Sequence, residues 1–168
     1  RPVDFDGRYY QLQQAILLPQ PHRPGGPPIL IGGNGPNRTL PLAARYANEW
    51  NAVYILPDEF KRLNHILDNL LSIIERDSRS VRRSVMTGCV FGRIPEEVEK
   101  KVALRSNHQR TPAELRQRGL IVGTGAEIAR QCQVYASVGA QCVMLQWLDL
   151  DDLAGLEGFQ AIDALDQR

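Results

Sequence analysis

The sequence predicts an α/β fold with parallel strands, and two observations support this class. Short runs of β-branched and other apolar residues alternate with helical patterns four times along the 168 residues, and no two successive runs are joined by a hairpin-length connection. The last run, residues 142–147, is almost uniformly apolar, which is typical of a parallel strand covered on both faces. Periodicity alone leaves open whether the units form a small doubly wound sheet or part of a barrel.

The elements follow in order along the chain. Residues 1–28 are rich in proline and carry a turn signal at Asp6 and Gly7, so we interpret them as an extended or hairpin-bearing connection. Residues 29–168 hold all four predicted strands and their helices as one domain. The strands are predicted at residues 29–31, 50–54, 85–91 and 142–147.

Capping signals place the helices between these strands. Thr39 is expected to cap a short helix, and Pro57 begins a longer one whose apolar residues recur every three or four positions. Pro95 begins another helix, and Thr111 and Thr124 each begin a capping box. A final helical pattern covers residues 150–165.

Composition excludes several classes of function. The chain has 20 basic and 19 acidic residues, a formal net charge of +1, so no summed charge favours nucleic acid or an anionic membrane as a partner. No apolar run approaches the roughly 20 residues of a membrane-spanning helix. Three cysteines form an odd set, which favours a reducing compartment and predicts a cytoplasmic protein. The three histidines are scattered without partners at ligand spacing, so no metal site is predicted.

A glycine-rich turn is the clearest candidate for chemistry. Gly32, Gly33 and Gly35 follow a predicted strand and precede a helix, so their N–H groups can approach a phosphate without obstruction by a Cβ atom. The dinucleotide-binding fingerprint does not fit, because Arg38 stands where its third glycine belongs. From the residues alone, a phosphate site and a turn that needs positive φ remain equally open.

Five segments together resemble one known family. They are Phe-Asp-Gly-Arg-Tyr-Tyr at 5–10, Pro-Pro-Ile-Leu-Ile-Gly-Gly at 27–33, Ala-Ala-Arg-Tyr-Ala-Asn-Glu-Trp-Asn at 43–51, Gly-Thr-Gly-Ala-Glu at 123–127 and Gly-Ala-Gln-Cys-Val-Met-Leu-Gln-Trp at 139–147. In this order they resemble the luciferase-like monooxygenase superfamily, and most closely its branch of probable deazaflavin (coenzyme F420)-dependent oxidoreductases.

The resemblance implies a TIM-type barrel. The matched segments correspond to the connection before strand five and to strands five to eight, so four parallel βα units would form the C-terminal half of a (β/α)8 barrel. Since a whole barrel takes about 250 residues and this chain begins with Arg1, we expect a C-terminal portion of a longer protein. Such a piece would be inactive alone, and its unpaired edge strands would favour association.

The resemblance also implies a cofactor and a reaction. It assigns Gly32, Gly33, Asn34 and Gly35 to the cofactor's phosphate, with coenzyme F420 as the expected cofactor and FMN as the alternative. The expected function is hydride transfer between the deazaflavin and a small organic substrate. The alternatives are an FMN-dependent monooxygenase and, from another class, a non-catalytic half-barrel that binds phosphate or a partner. The full-length protein is expected to form a homo-oligomer, and no catalytic acid or base is assigned.

Pocket residues are predicted from the position of barrel active sites at the carboxyl ends of the strands. Tyr54, Gln146 and Trp147 lie at such ends and are the candidates for the substrate pocket, although core packing is an equally open interpretation of Trp147. The basic cluster that includes Arg82 and Arg83 is interpreted as a solvated strand entrance.

Overall fold

The computed structural model describes residues 1–160, which form a hairpin followed by a parallel sheet with helices. The strands are β1 (Val3–Asp6), β2 (Gln11–Ala15), β3 (Leu30–Gly32), β4 (Glu49–Val53), β5 (Arg82–Phe91), β6 (Ile121–Gly123) and β7 (Cys142–Gln146). The helices are α1 (Thr39–Tyr46), α2 (Pro57–Ile73), α3 (Pro95–Arg105), α4 (Pro112–Gln117), α5 (Gly125–Ser137) and α6 (Leu153–Gln160).

The parallel sheet has the order β3-β4-β5-β7, and every pairing in it is parallel. The four strands predicted from the sequence, and their parallel arrangement, are therefore confirmed. The connection before them contains the antiparallel hairpin of β1 and β2, which is closed by a hydrogen bond from the Gly7 N–H to the Tyr10 carbonyl. Within residues 1–160, β3 and β7 form the two edges of the sheet.

A fifth parallel strand, β6, was not predicted. It pairs only with the last part of β5, with Cys89, Val90 and Phe91 opposite its three residues. Gly119, which precedes β6, lies against the backbone of Tyr54 and Ile55. β6 therefore continues the β4 side of β5 beyond the point where β4 ends.

The start of β5 differs from the prediction. The sequence placed this strand from Val85 because two arginines precede it, but Arg82 and Arg83 both pair with β4. Arg83 is also only 6% exposed, so the interpretation of a solvated strand entrance is wrong for this residue. Its guanidinium is accommodated because Asn64 and Asp68, one helical turn apart on α2, both accept hydrogen bonds from it.

The core lies between the sheet and the helices α1 and α2. The apolar stripe predicted for α2 is confirmed, since Phe60, Leu63, Leu67 and Leu71 are fully buried. Phe60 stacks on Trp50 of β4 at 5.2 Å between ring centroids, with the planes 8° apart. This contact fixes α2 over the first half of the sheet and orients the indole ring.

α6 covers part of the final helical pattern predicted at residues 150–165, and the remainder of that pattern lies outside the described residues. Among residues 1–160, no helix is both long enough and apolar enough to cross a membrane.

The start of α5 supplies a test of pH dependence. The Thr124 N–H donates to the Glu127 carboxylate at 2.8 Å, and this bond, assisted by the Thr124 hydroxyl and by Arg116, holds the pKa of Glu127 below its ordinary value. A lowered carboxyl pKa in the folded state adds stability above the unfolded pKa of about 4.3, and that stability disappears as the pH falls through the folded pKa.

We therefore expect Glu127→Gln to be less stable than the unchanged chain at neutral pH, because the charge-assisted bonds are lost. The difference in the free energy of unfolding should shrink as the pH falls below about 4.3. Urea unfolding at a series of pH values measures this difference. A difference that stays constant down to pH values near 2 would contradict the assigned cause.

Candidate functional site

The two faces of the sheet have different chemistry. The Asn51 amide donates to the Ser84 hydroxyl at 2.8 Å and approaches the Met144 sulfur at 3.6 Å, so these three side chains share one face, which we call the inner face. The opposite face, which carries Trp50 and packs on α2, is called the helix face. Because parallel strands all end at one edge of a sheet, side chains following β3, β4, β5 and β7 converge at the carboxyl edge.

The glycine turn follows β3 at this edge and is held by three contacts with β4. The Gly33 N–H donates to the Asn51 carbonyl, and the Trp50 indole N–H donates to the Gly33 carbonyl, both at 2.9 Å. The Asn34 side chain continues the sheet, since its Oδ1 accepts from the Val53 N–H and its amide donates to the Val53 carbonyl. Asn34 therefore has its backbone N–H and the second hydrogen of its side-chain amide left for a ligand.

The same turn leaves a row of backbone N–H groups without a partner. Within residues 1–160, the N–H groups of Asn34, Gly35, Asn37, Arg38 and Thr39 donate to no protein acceptor. All five belong to the turn or to the first residue of α1, where the helix dipole favours an anion. The arrangement matches the general pattern of a phosphate site at a helix N-terminus.

Two details of the turn differ from the sequence interpretation. The N-cap of α1 is Arg38 and not Thr39, and no side chain caps the helix. The Thr39 hydroxyl instead lies 3.3 Å from the position of a Cβ atom on Gly33 and 3.0 Å from that of a Cβ atom on Gly35. Gly33 has φ +125°, a conformation that side chains of L-residues rarely adopt. Conformation therefore favours glycine at position 33, while at position 35 a side chain would stand close to the Thr39 hydroxyl.

Tyr54 and Gln146, predicted as pocket residues, lie together on the inner face. The Tyr54 hydroxyl donates to Gln146 Oε1 at 2.6 Å, and the Gln146 amide approaches the Met86 sulfur at 3.5 Å. Tyr54 has φ +47°, which is uncommon for a large residue and turns its side chain over the sheet directly after β4.

Trp147, the third predicted pocket residue, is not part of this group. It follows Gln146 and so points to the helix face, where it packs against Phe91 at 6.3 Å and Phe159 at 5.8 Å between ring centroids. Its indole N–H donates to the Asp149 carbonyl. The structure thus favours core packing for Trp147, and the expectation that it lines the same pocket as Tyr54 is corrected.

Arg105 belongs to the site and was missed. Its Nη2 atom and the Tyr54 hydroxyl lie 3.1 Å and 3.2 Å from the point where a Cβ atom on Gly88 would stand. Arg105 is the last residue of α3, and its Nη1 donates to the Cys89 carbonyl at 3.0 Å. The glycine inside strand β5 was the available signal, because such a glycine often marks a close approach of other groups.

The cysteines show no sign of nucleophilic chemistry. Burial raises the pKa of Cys89 to about 12 and that of Cys132 to about 11, so both thiols stay protonated at neutral pH.

The fold and the turn define a class: a parallel α/β protein whose described residues include unpartnered backbone N–H groups at a helix N-terminus and a polar cluster at the same edge of the sheet. The family model for luciferase-like monooxygenases matches residues 1–110. The chain belongs to that family, and the resemblance stated from the sequence is confirmed.

Solved structures of F420-dependent and other luciferase-like enzymes share the fold. An F420-dependent secondary alcohol dehydrogenase in complex with an F420-acetone adduct has a TM-score of 0.69 and 18% identity, over 86% of this chain and 49% of that one. The EDTA monooxygenase of Chelativorans sp. BNC1 has a TM-score of 0.69 and 17% identity, over 96% and 51%. The F420-dependent tetrahydromethanopterin reductase of Methanopyrus kandleri has a TM-score of 0.65 and 14% identity, over 99% and 56%.

Among curated proteins, a phthiodiolone/phenolphthiodiolone dimycocerosates ketoreductase of Mycobacterium tuberculosis is 28% identical over 99 residues. That alignment covers 58% of this chain and 26% of the relative. The chain thus spans about half the length of the solved structures and matches about a quarter of the curated relative.

Proposed function

We propose that this chain contributes the phosphate-binding turn and one side of the substrate pocket to an oxidoreductase that transfers a hydride between coenzyme F420 and a small organic substrate. The observation that carries the proposal is the row of five unpartnered N–H groups around Gly35, at the start of α1. A phosphate offers several oxygens to such a row, and no Cβ atom on Gly33 or Gly35 stands in its way.

The residues present fit a cofactor of this kind. In the proposed arrangement the backbone N–H groups of 34, 35 and 37–39 hold the phosphate, and Trp50 keeps the turn in place through the Gly33 carbonyl. When bound, the deazaflavin supplies a ring carbon that carries the hydride. Tyr54 and Gln146 then present a hydroxyl and an amide at the same edge, where they can orient a polar group of the substrate.

Reduction is favoured over oxygenation by the activities of two relatives. One is a ketoreductase, and another is an F420-dependent alcohol dehydrogenase bound to an F420-acetone adduct. The similarity to the EDTA monooxygenase supports the alternative, a monooxygenase of the same family. A half-barrel architecture, a homo-oligomeric full-length protein and a cytoplasmic setting are further parts of this proposal.

Titration with the two cofactors tests the proposal. The purified chain should bind F420 with a dissociation constant about tenfold below that of FMN, a difference of about 1.4 kcal/mol. Absorbance and fluorescence distinguish the two cofactors, because flavins and deazaflavins absorb at different visible wavelengths. Tighter binding of FMN would favour the monooxygenase alternative, and saturable binding of neither cofactor would contradict the proposed function.

A further inference from the structure

Arg105 is an arginine at the carboxyl edge of the sheet with unused hydrogen-bonding capacity. A guanidinium has five N–H donors, and among residues 1–160 the side chain makes one recorded hydrogen bond, from Nη1 to the Cys89 carbonyl. It forms no ion pair with any described carboxylate. A half-buried arginine without an acidic partner is a strong attractor for an oxyanion, because its bonds to carboxylates are charge-assisted.

Several groups lie close to the Arg105 guanidinium because the residue beneath it is a glycine. Gly88 forms the floor, and a side chain there would collide with both Arg105 Nη2 and the Tyr54 hydroxyl. Gln146 lies opposite Gly88 in the register of β5 and β7. Its Oε1 accepts a hydrogen bond from the Tyr54 hydroxyl and so fixes the direction of that hydroxyl. Leu120 lies 3.5 Å from the same point and closes the apolar side. Groups from four separate segments thus meet over one glycine.

This cluster is separate from the phosphate-binding turn. The turn uses backbone N–H groups at the start of α1, whereas Arg105 ends α3 and reaches the sheet over Gly88 of β5. If the turn holds the cofactor's phosphate, the guanidinium remains for a second negative group. The planar guanidinium of an arginine can donate two parallel N–H bonds to the two oxygens of a carboxylate.

We propose that Arg105 forms a second anion site over Gly88 that binds a carboxylate group of the substrate. The inference rests on the proposed function in one respect, since it assigns the cofactor's phosphate to the turn. It names the substrate class as an organic acid that carries a carboxylate in addition to the carbon that exchanges hydride. The glutamyl tail of coenzyme F420 is the other source of a carboxylate, and the experiment distinguishes the two.

Nuclear magnetic resonance on the unmodified chain tests the site directly. With the arginine side-chain and backbone signals assigned, the chain is titrated with benzoate, with benzamide as the neutral analogue, and with inorganic phosphate. We expect benzoate to shift the Arg105 Nε–H signal saturably and benzamide to leave it unchanged. Phosphate should instead shift the backbone signals of Gly35 and its neighbours.

A pair of variants supports the assignment. Arg105→Met should weaken benzoate binding about tenfold or more, as expected for a lost bond to a charged group. Lys100→Met removes the same charge from an exposed position on the same helix and should change the affinity by less than about twofold. Equal weakening by both variants would show a diffuse charge effect and overturn the proposal.

The possible failures are distinguishable. An Arg105 signal that ignores benzoate overturns the inference, while a phosphate response at the turn in the same sample leaves the proposed function intact. A benzoate response at Arg105 without a phosphate response at the turn supports the carboxylate site and contradicts the proposed function. Displacement of benzoate by F420 but not by FMN, which has no carboxylate, assigns the site to the cofactor's tail and overturns the substrate assignment.

Discussion

Arg83→Met is expected to lower the free energy of unfolding by about 3 kcal/mol, because it removes a buried guanidinium that makes four hydrogen bonds. The guanidinium donates to Asp68, to Asn64 Oδ1 and to the carbonyls of Ser78 and Val81. Burial lowers the pKa of Arg83, and the negative charge of Asp68 opposes that shift. Methionine fills similar space but leaves these acceptors unpaired.

Arg82→Met is the matched control, since it changes the same residue type one position earlier on β5. The Arg82 side chain is 54% exposed and lies 3.9 Å from Glu49, so its loss should cost less than about 1 kcal/mol. Chemical denaturation of both variants gives the comparison. Similar stability losses for the two, or no loss for Arg83→Met, would show that the buried cluster contributes little.

Gly35→Val is expected to weaken cofactor binding about a hundredfold, a loss of about 2.7 kcal/mol, because it introduces branched carbons among the N–H groups proposed to hold the phosphate. The first added carbon would stand 3.0 Å from the Thr39 hydroxyl, so that side chain must move by a few tenths of an ångström, whereas the Thr39 backbone nitrogen lies 3.6 Å away, an ordinary contact distance. Gly35 does not have positive φ, so valine adds no penalty of that kind. Affinity should therefore fall far more than thermal stability.

A valine at Gly33 is less suitable for separating cofactor affinity from stability, although the sequence assigned both glycines to the cofactor's phosphate. With φ +125°, valine at Gly33 is strained whatever the space around it, at a cost of about 1–3 kcal/mol. Ala113→Val is the better control for Gly35→Val. Ala113 is exposed on α4, has no positive φ and lies outside the turn, so cofactor affinity should not change. A melting temperature that collapses in Gly35→Val while the folded fraction binds normally would make the turn purely structural.

The features that could be predicted from the sequence are those that repeat or that lie in consecutive residues. The apolar residues of α2 from Phe60 to Leu71 recur with the helical period. The short apolar run that forms β3 is followed directly by a group of glycines, which is a strong signal for a turn. β6 was not predicted because its three residues, Ile121–Gly123, are too few to show a period. They also pair with only the last part of β5.

The features that could not be predicted depend on partners distant in sequence. Nothing near Arg83 indicates that Asp68 will neutralise it, and nothing near Asn34 indicates that Val53 will use both polar groups of its side chain. In the sequence, Arg105 is only a charged residue near the end of a helix. Its position over Gly88 becomes visible only when the fold brings β5 next to it. For Trp147 the sequence left pocket lining and core packing equally open, and the contacts with Phe91 and Phe159 on the helix face favour core packing.

The central claim is that the turn after β3 holds the phosphate of the cofactor, and backbone amide spectra during an F420 titration test it most directly. The largest saturable shifts should belong to the N–H groups that have no partner in the described residues, those of Asn34, Gly35, Asn37, Arg38 and Thr39. The Gly33 N–H, already bonded to the Asn51 carbonyl, should shift less. Saturable F420 binding that leaves these five signals unmoved would contradict the account.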